Sequence, residues 1–216
     1  MIELLSIHIP KTGGTSFYQV LQQVYGPTVT PSLKRRDYAA LIARHGSLET
    51  AFDPEIRAVH GHLYYRELAA LHRTSGAKVI CWLRHPVVRV WSNYRFFIHR
   101  LQNPALNPDV AAQNQHRREE SLLEYARLEE NRNRMSKFLE GLALDDLFFV
   151  GLLEDFEADL QRLCRLMGWG APPTLPHHNR GELPGKAALD AALYEQLVML
   201  NGEDMELYEK AMGNRQ

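Results

Sequence analysis

Mostly apolar runs that alternate with helical patterns predict an α/β chain, a parallel sheet covered by helices on both faces. Three runs carry the prediction: residues 2–9, 78–83 and 147–152. They read as buried strands, 78–83 and 147–152 most strongly, as near-continuous apolar runs do in a sheet covered on both faces. The first two give way to a short polar segment, and residues with helical spacing follow all three.

In chain order, residues 2–9 form a strand and residues 11–16 a polar glycine loop. Thr15 or Ser16 is expected to cap a helix that carries Phe17, Val20, Leu21 and Val24 on one side. Gly26-Pro27 ends that helix, and another is expected over 37–45. A short strand over 57–60 leads to a helix over 66–73, stopped at Ser75-Gly76. The strand over 78–83 precedes a helix with Pro86 in its first turn, where a missing N–H costs nothing. Residues 103–114, rich in Asn, Pro and Ala, read as a loop, and 117–139 as a charged helix. Together, about 103–140 is expected to be a helical insertion or lid. The strand over 147–152 is followed by an amphipathic helix to Met167, a loop over 172–185 and two C-terminal helices. With no internal repeat or low-complexity tract, one domain over 1–216 is expected.

Composition narrows the partners. A hydrophobic share of 45% and a charged share of 24% are ordinary for a folded globular chain. A net charge of −1 gives no overall pull toward nucleic acid or an anionic membrane, so affinity for anions must be local. Cys81 and Cys164 lie in apolar contexts and read as buried free thiols, which suits a reducing compartment. Residues 2–9 are too few to span a membrane and lack a basic flank. A cytoplasmic location without a transmembrane segment is the expectation.

The local anion site is expected at His8 to Ser16, HisIleProLysThrGlyGlyThrSer. Gly13 and Gly14 allow a tight turn that exposes successive N–H groups, and the helix start adds further donors. Lys11 supplies a charge, and Thr12, Thr15 and Ser16 supply hydroxyls. A bare strand–turn–helix connection would need the glycines but not the lysine. The order differs from a Walker A loop, where Lys-Ser/Thr follows the last glycine. A second segment, ArgHisProValValArgValTrpSerAsnTyr from Arg84, starts where the strand over 78–83 stops. Ligands of open parallel sheets bind beyond the carboxyl ends of strands, so Arg84 is placed to fork onto a phosphate. Ser92 follows in the helix and shares a face with Arg89.

Together these segments resemble the two nucleotide-binding motifs of sulfotransferases that use 3′-phosphoadenosine 5′-phosphosulfate (PAPS). The nearest likeness is to carbohydrate sulfotransferases of the heparan sulfate 2-O-sulfotransferase-like group. It extends to HisGlyHis at His60–His62, to AsnArgMetSerLysPheLeuGluGly from Asn133, and to ValGlyLeuLeuGluAspPhe from Val150. His85 departs from it, standing where the family usually carries an acidic or amide residue. The resemblance implies a P-loop-NTPase-like sheet and transfer of a sulfuryl group from PAPS to a hydroxyl, with PAP as the product. It places the 5′-phosphosulfate at Lys11, Thr12, Gly13, Gly14, Thr15 and Ser16, and the 3′-phosphate at Arg84 and Ser92. Asn179 and Arg180 are expected over the bound nucleotide.

His60 and His62 alternate on an extended segment, so they project the same way, with Gly61 leaving room between strands. On residue type alone they can be structural, metal ligands or a base. The resemblance implies that His62 is the base and His60 its support. Lys11 would then neutralise the leaving group, and no metal would be required. Two rivals stay open: a magnesium-dependent P-loop kinase, with Glu154-Asp155 ending a Walker B-like strand, and an inactive nucleotide-binding scaffold. The expected acceptor is a glycan, and basic runs at 95–100, Arg117-Arg118 and 132–137 would suit an acidic one. Trp91 and Tyr94 are candidates to stack on sugar rings, whereas Trp82 reads as core.

Overall fold

Residues 1–106, 108–172 and 189–214 are described by a computed structural model. The sheet has four parallel strands, β1 (Leu4–Ile7), β2 (Ala58–Gly61), β3 (Lys78–Leu83) and β4 (Phe149–Leu152), in the order β2-β1-β3-β4. Ten α-helices accompany them among the described residues: α1 (Gly14–Tyr25), α2 (Arg35–His45), α3 (Tyr65–Ser75), α4 (Pro86–Gln102), α5 (Pro108–Gln113), α6 (Leu122–Arg127), α7 (Arg134–Leu139), α8 (Phe156–Met167), α9 (Ala191–Leu200) and α10 (Gly202–Gly213). From β1 the chain moves to one side for β2, then crosses to the other side for β3. That reversal opens a crevice beyond the carboxyl ends of β1 and β3, where such sheets take their ligands.

Strand side chains alternate between two cores. Leu5, Ile7, Val79, Cys81 and Leu83 pack with Leu68 and Leu71 of α3, Phe138 of α7 and Tyr208 of α10. Leu4, Ile80, Trp82 and Phe149 pack with Phe17, Val20 and Leu21 of α1 and Leu160 and Leu163 of α8. Both faces are therefore covered, which is why these strands read as near-continuous apolar runs. Trp82 is core, as expected, and Cys81 and Cys164 are buried and free. Among the described residues, no helix is long and apolar enough to cross a membrane.

The edge of β2 is closed by residues 29–33, which bridge Val29 to Ala58 and Leu33 to Gly61. A Cβ on Gly61 would lie 2.5 Å from the Leu33 carbonyl oxygen, so only glycine lets the two backbones approach this closely. His62 N–H then donates to that carbonyl at 2.7 Å, fixing the chain where HisGlyHis leaves the sheet.

Three expectations need correction. The helix expected over 117–139 is broken: Ser121 and Glu124 form a capping box that starts α6, and the backbone is extended at Leu128 and again at Arg132. Buried Asn131 donates to the Tyr125 carbonyl at 2.8 Å, stabilising the break with a side chain in place of the next helical N–H. The expected loop over 103–114 contains α5. The first helix starts earlier than expected, since Gly13, left-handed at φ 89°, is its N-cap and makes no side-chain cap. Thr15 and Ser16 thus lie inside the first turn.

The start of α7 is anchored differently. Asn133 is left-handed at φ 45°, and its N–H donates to Asn201 Oδ1 at 3.2 Å. Asp204, fully buried, accepts from the Met135 N–H at 3.1 Å, the Ser136 N–H at 2.8 Å and the Ser136 hydroxyl at 2.9 Å. Arg89 Nε stands 3.8 Å from the same carboxylate, and Arg89 Nη2 donates to the Asn131 carbonyl at 3.1 Å. Arg89 is therefore an internal counter-ion and not a surface partner for Ser92. Burial lowers its pKa to about 10, against the raising effect of Asp204.

Candidate active site

The two expected anion-binding segments meet in the crevice. Arg84, directly after β3, donates from Nη1 to the backbone carbonyl of Lys11 at 3.3 Å. Lys11 is held in a left-handed conformation at φ 71°, and its ammonium lies over the ring of Phe96, 4.4 Å from the centroid. Burial depresses the pKa of Lys11, and the charge of Arg84 depresses it further. Burial also lowers that of Arg84, with Glu154 acting in the opposite sense. Among the described residues, neither cation has a carboxylate within ion-pair distance. Two half-buried positive charges thus stand beside a helix start that has no side-chain cap and no acidic residue in its first turn.

The glycines have separate reasons. A Cβ on Gly13 would come 2.6 Å from Leu153 Cδ1, and its φ of 89° already disfavours any side chain. A Cβ on Gly14 would run into the ring of His8. Thr12 is buried and its hydroxyl donates to the Ile9 carbonyl at 2.9 Å, so that hydroxyl closes the loop instead of facing a ligand. Thr15 is exposed and Ser16 half-buried in the first turn of α1, while Ser92 lies half-buried on α4. Asn179 and Arg180 lie outside the described residues. His85 starts α4: its backbone N–H donates to Glu154 Oε1 at 2.8 Å. A carboxylate at the end of β4 thus serves the helix start, and Glu154 has a structural partner where the kinase reading would have a magnesium ligand.

Beside the loop stands a stack of histidines. His8 lies 3.9 Å from His62 and 5.0 Å from His60, centroid to centroid, and Tyr18 of α1 lies 5.2 Å from His60 on a nearly parallel plane. His60 is buried and its Nδ1 is 2.9 Å from the Ser6 hydroxyl. At 1% exposure it cannot itself meet an acceptor, and its ring stacks on His8, 5.0 Å between centroids. His62 is half-buried, and its Nδ1 is 2.7 Å from the His8 carbonyl oxygen. A carbonyl only accepts, so Nδ1 carries the proton and Nε2 keeps the lone pair in the neutral ring. Burial lowers the His62 pKa, the bond to His8 opposes this, and the charges of Arg134 and Lys34 lower it again. His8 and His60 are lowered to about 2 and about 3, in both cases chiefly by burial. Among the described residues, no group of three His, Cys, Asp or Glu side chains could hold a metal ion.

His8 went unassigned in the sequence, although it opens the glycine segment. Its signal is a polar residue at the end of an apolar run, in phase with Ser6. The basic runs are mostly spent internally. Arg117 pairs with Glu120 at 2.8 Å, Arg118 donates to the Leu101 carbonyl at 2.9 Å and Lys137 pairs with Glu129 at 2.5 Å. Arg95 lies over Trp91, which packs with Tyr94 against the α4–α6–α9 cluster. Beyond His62, the Tyr64 ring sits between Arg35 at 4.6 Å and Arg66 at 4.8 Å.

The chain matches no protein-family profile and no curated protein sequence. Its α/β fold is P-loop-NTPase-like, the class of fold found in sulfotransferases. A sulfotransferase from Alicyclobacillus acidocaldarius superposes with a TM-score of 0.50 at 17% identity, over 95% of this chain and 96% of that one. A mouse sulfotransferase solved in complex with PAP gives 0.46 at 13% identity, over 80% of this chain and 59% of that one.

Proposed function

We propose that this protein transfers a sulfuryl group from PAPS to a hydroxyl of a glycan acceptor. The observation that carries the reading is the meeting of Lys11 and Arg84 across the crevice, at the open start of α1. The sequence motifs pair those two residues in sulfotransferases, and here one donates to the backbone of the other. PAPS would supply the sulfuryl group and a phosphate leaving group.

The N–H groups of α1's first turn and Lys11 would hold the 5′ side of the donor. Arg84, with Ser92, would hold the 3′-phosphate and so set its register. His62 Nε2 would accept the acceptor's hydroxyl proton, and its Nδ1–H bond to His8 stabilises the imidazolium that forms. Lys11 would stabilise charge gathering on the leaving oxygen, moving off the Phe96 ring to do so. Lys34 and Arg134, whose charges act on His62, support an acceptor with an anionic group near its reacting hydroxyl.

PAP should raise the melting temperature without added metal; saturation a hundredfold above its Kd is worth about 2.7 kcal/mol. His62→Ala should lower turnover of labelled PAPS on a glycan panel by about 10²–10⁴-fold, with PAP binding unchanged. A melting curve that responds to ATP with magnesium but not to PAP would overturn the reading in favour of a kinase.

A further inference from the structure

We propose that His8 is the positioning residue that clamps the base, His62, in its working tautomer and orientation; this rests on the reading of His62 above. The clamp has two jaws from one residue. The His8 carbonyl takes the His62 Nδ1–H at 2.7 Å, and the His8 ring lies against the His62 ring, 3.9 Å between centroids and 27° between planes. Backbone and side chain of one residue thus fix both the proton's position and the ring's rotation.

The surroundings hold the clamp in turn. On its far side the His8 ring lies 5.0 Å from His60, which is tied to Ser6 on β1 and covered by Tyr18 of α1. Above it, Gly14 has no Cβ, and any side chain there would collide with the ring. The glycine that opens the phosphate loop is therefore also the glycine that admits the clamp. Movement of the loop and orientation of the base share one contact.

The chemistry of the stack agrees. Among the described residues, His8 Nδ1 and His60 Nε2 find no hydrogen-bond partner. An apolar wall would avoid that cost. The imidazole lies directly beneath the Gly14 backbone. The groups facing His62 are His8 after β1, His60 on β2, Lys34 before α2 and Arg134 at the start of α7. All are neutral or positive, and none is an acid that could orient the base as a carboxylate does in a catalytic triad. The His8 backbone carbonyl takes that place.

The test is nitrogen NMR of the histidine rings, together with turnover. In the wild-type protein, His62 should show the Nδ1–H tautomer and titrate below the ordinary value of about 6.5. In His8→Ala the carbonyl at position 8 stays and the ring is lost, so the Nδ1–H tautomer should persist while the less buried His62 titrates higher, toward about 6.5. Turnover should fall about 10²-fold with the acceptor KM unchanged, as for a misplaced catalytic group. His8→Phe keeps a ring in the same place and should recover the lowered titration and most of the turnover. An Nε2–H tautomer in the wild-type protein would overturn the clamp and needs no variant to fold. So would a His8→Ala protein whose His62 titration and turnover match wild type. If the spectra behave as expected while wild type never consumes PAPS, the clamp stands and the sulfuryl-transfer reading falls.

Discussion

Two helices begin within this fold on the same chemistry and end up with opposite vocations. At the start of α7, the N–H groups of Met135 and Ser136 are taken by Asp204, a carboxylate with no exposure, itself backed by Arg89. At the start of α1, no side chain caps the helix, no acid stands in the first turn, and the neighbouring charges are Lys11 and Arg84. Every helix start leaves unpaired donors. One set is satisfied by a buried carboxylate, and the other has no side-chain cap, which is where the proposed function puts the donor's phosphate. An open helix start flanked by cations is thus informative because the same molecule shows how a closed one is built.

The contrast can be broken most forcefully at the closed end. Asp204→Ala should destabilise the fold by about 3–5 kcal/mol, the range for stranding one partner of a buried ion pair. Chemical denaturation would read it, and a loss under about 1 kcal/mol would mean that Asp204 is not what holds α7. At the open end the expectation reverses. Arg84→Ala should leave stability nearly untouched and weaken PAP binding by roughly 1.5–3 kcal/mol. Calorimetry with PAP and with adenosine 5′-phosphosulfate, which lacks the 3′-phosphate, sharpens the assignment. The mutant should lose most of the preference for the 3′-phosphorylated ligand, and an intact preference would move that phosphate elsewhere.

The third test reads a slope. His8 and His60 have folded pKa values of about 2 and about 3, below the unfolded value of about 6.5. Between those limits the unfolded chain binds more protons than the native one, so stability rises with pH. Their contribution is full above about pH 6.5 and is lost as pH falls from there toward the folded values. Each neutral histidine adds about 1.4 kcal/mol per pH unit within that window. Stability measured from pH 7 to 5 should therefore decline, and His8→Phe should make the decline shallower. An equally steep decline in that variant would assign the acid sensitivity to other groups.

Much of this was legible in the chain. The strand over Lys78–Leu83 was readable to the residue, because a strand buried on both faces leaves an unbroken apolar run between a lysine and an arginine. The turn from β1 into α1 was legible for a similar reason, since paired glycines at the end of an apolar run mark a tight connection. The segment over 117–139 was misread because charge and helix propensity hide its breaks, which depend on Asn131 and a left-handed Asn133. The burial of Arg89 was not legible, since its counter-ion lies 115 residues further on, in α10. His8 escaped notice because its role depends on two elements that meet only in the folded sheet.

Lys11 carries a consequence of its own. It is one of two non-glycine residues with positive φ among the described residues, a conformation that burdens an L-residue by about 1 kcal/mol. Lys11→Gly would relieve that burden and remove the charge from the crevice in one step. A laboratory lineage selected only for heat resistance would thus be drawn toward glycine at position 11. Under the proposed function it would arrive at a sturdier molecule without the charge that serves the leaving group, so any such selection on this protein has to be run with activity as a second filter.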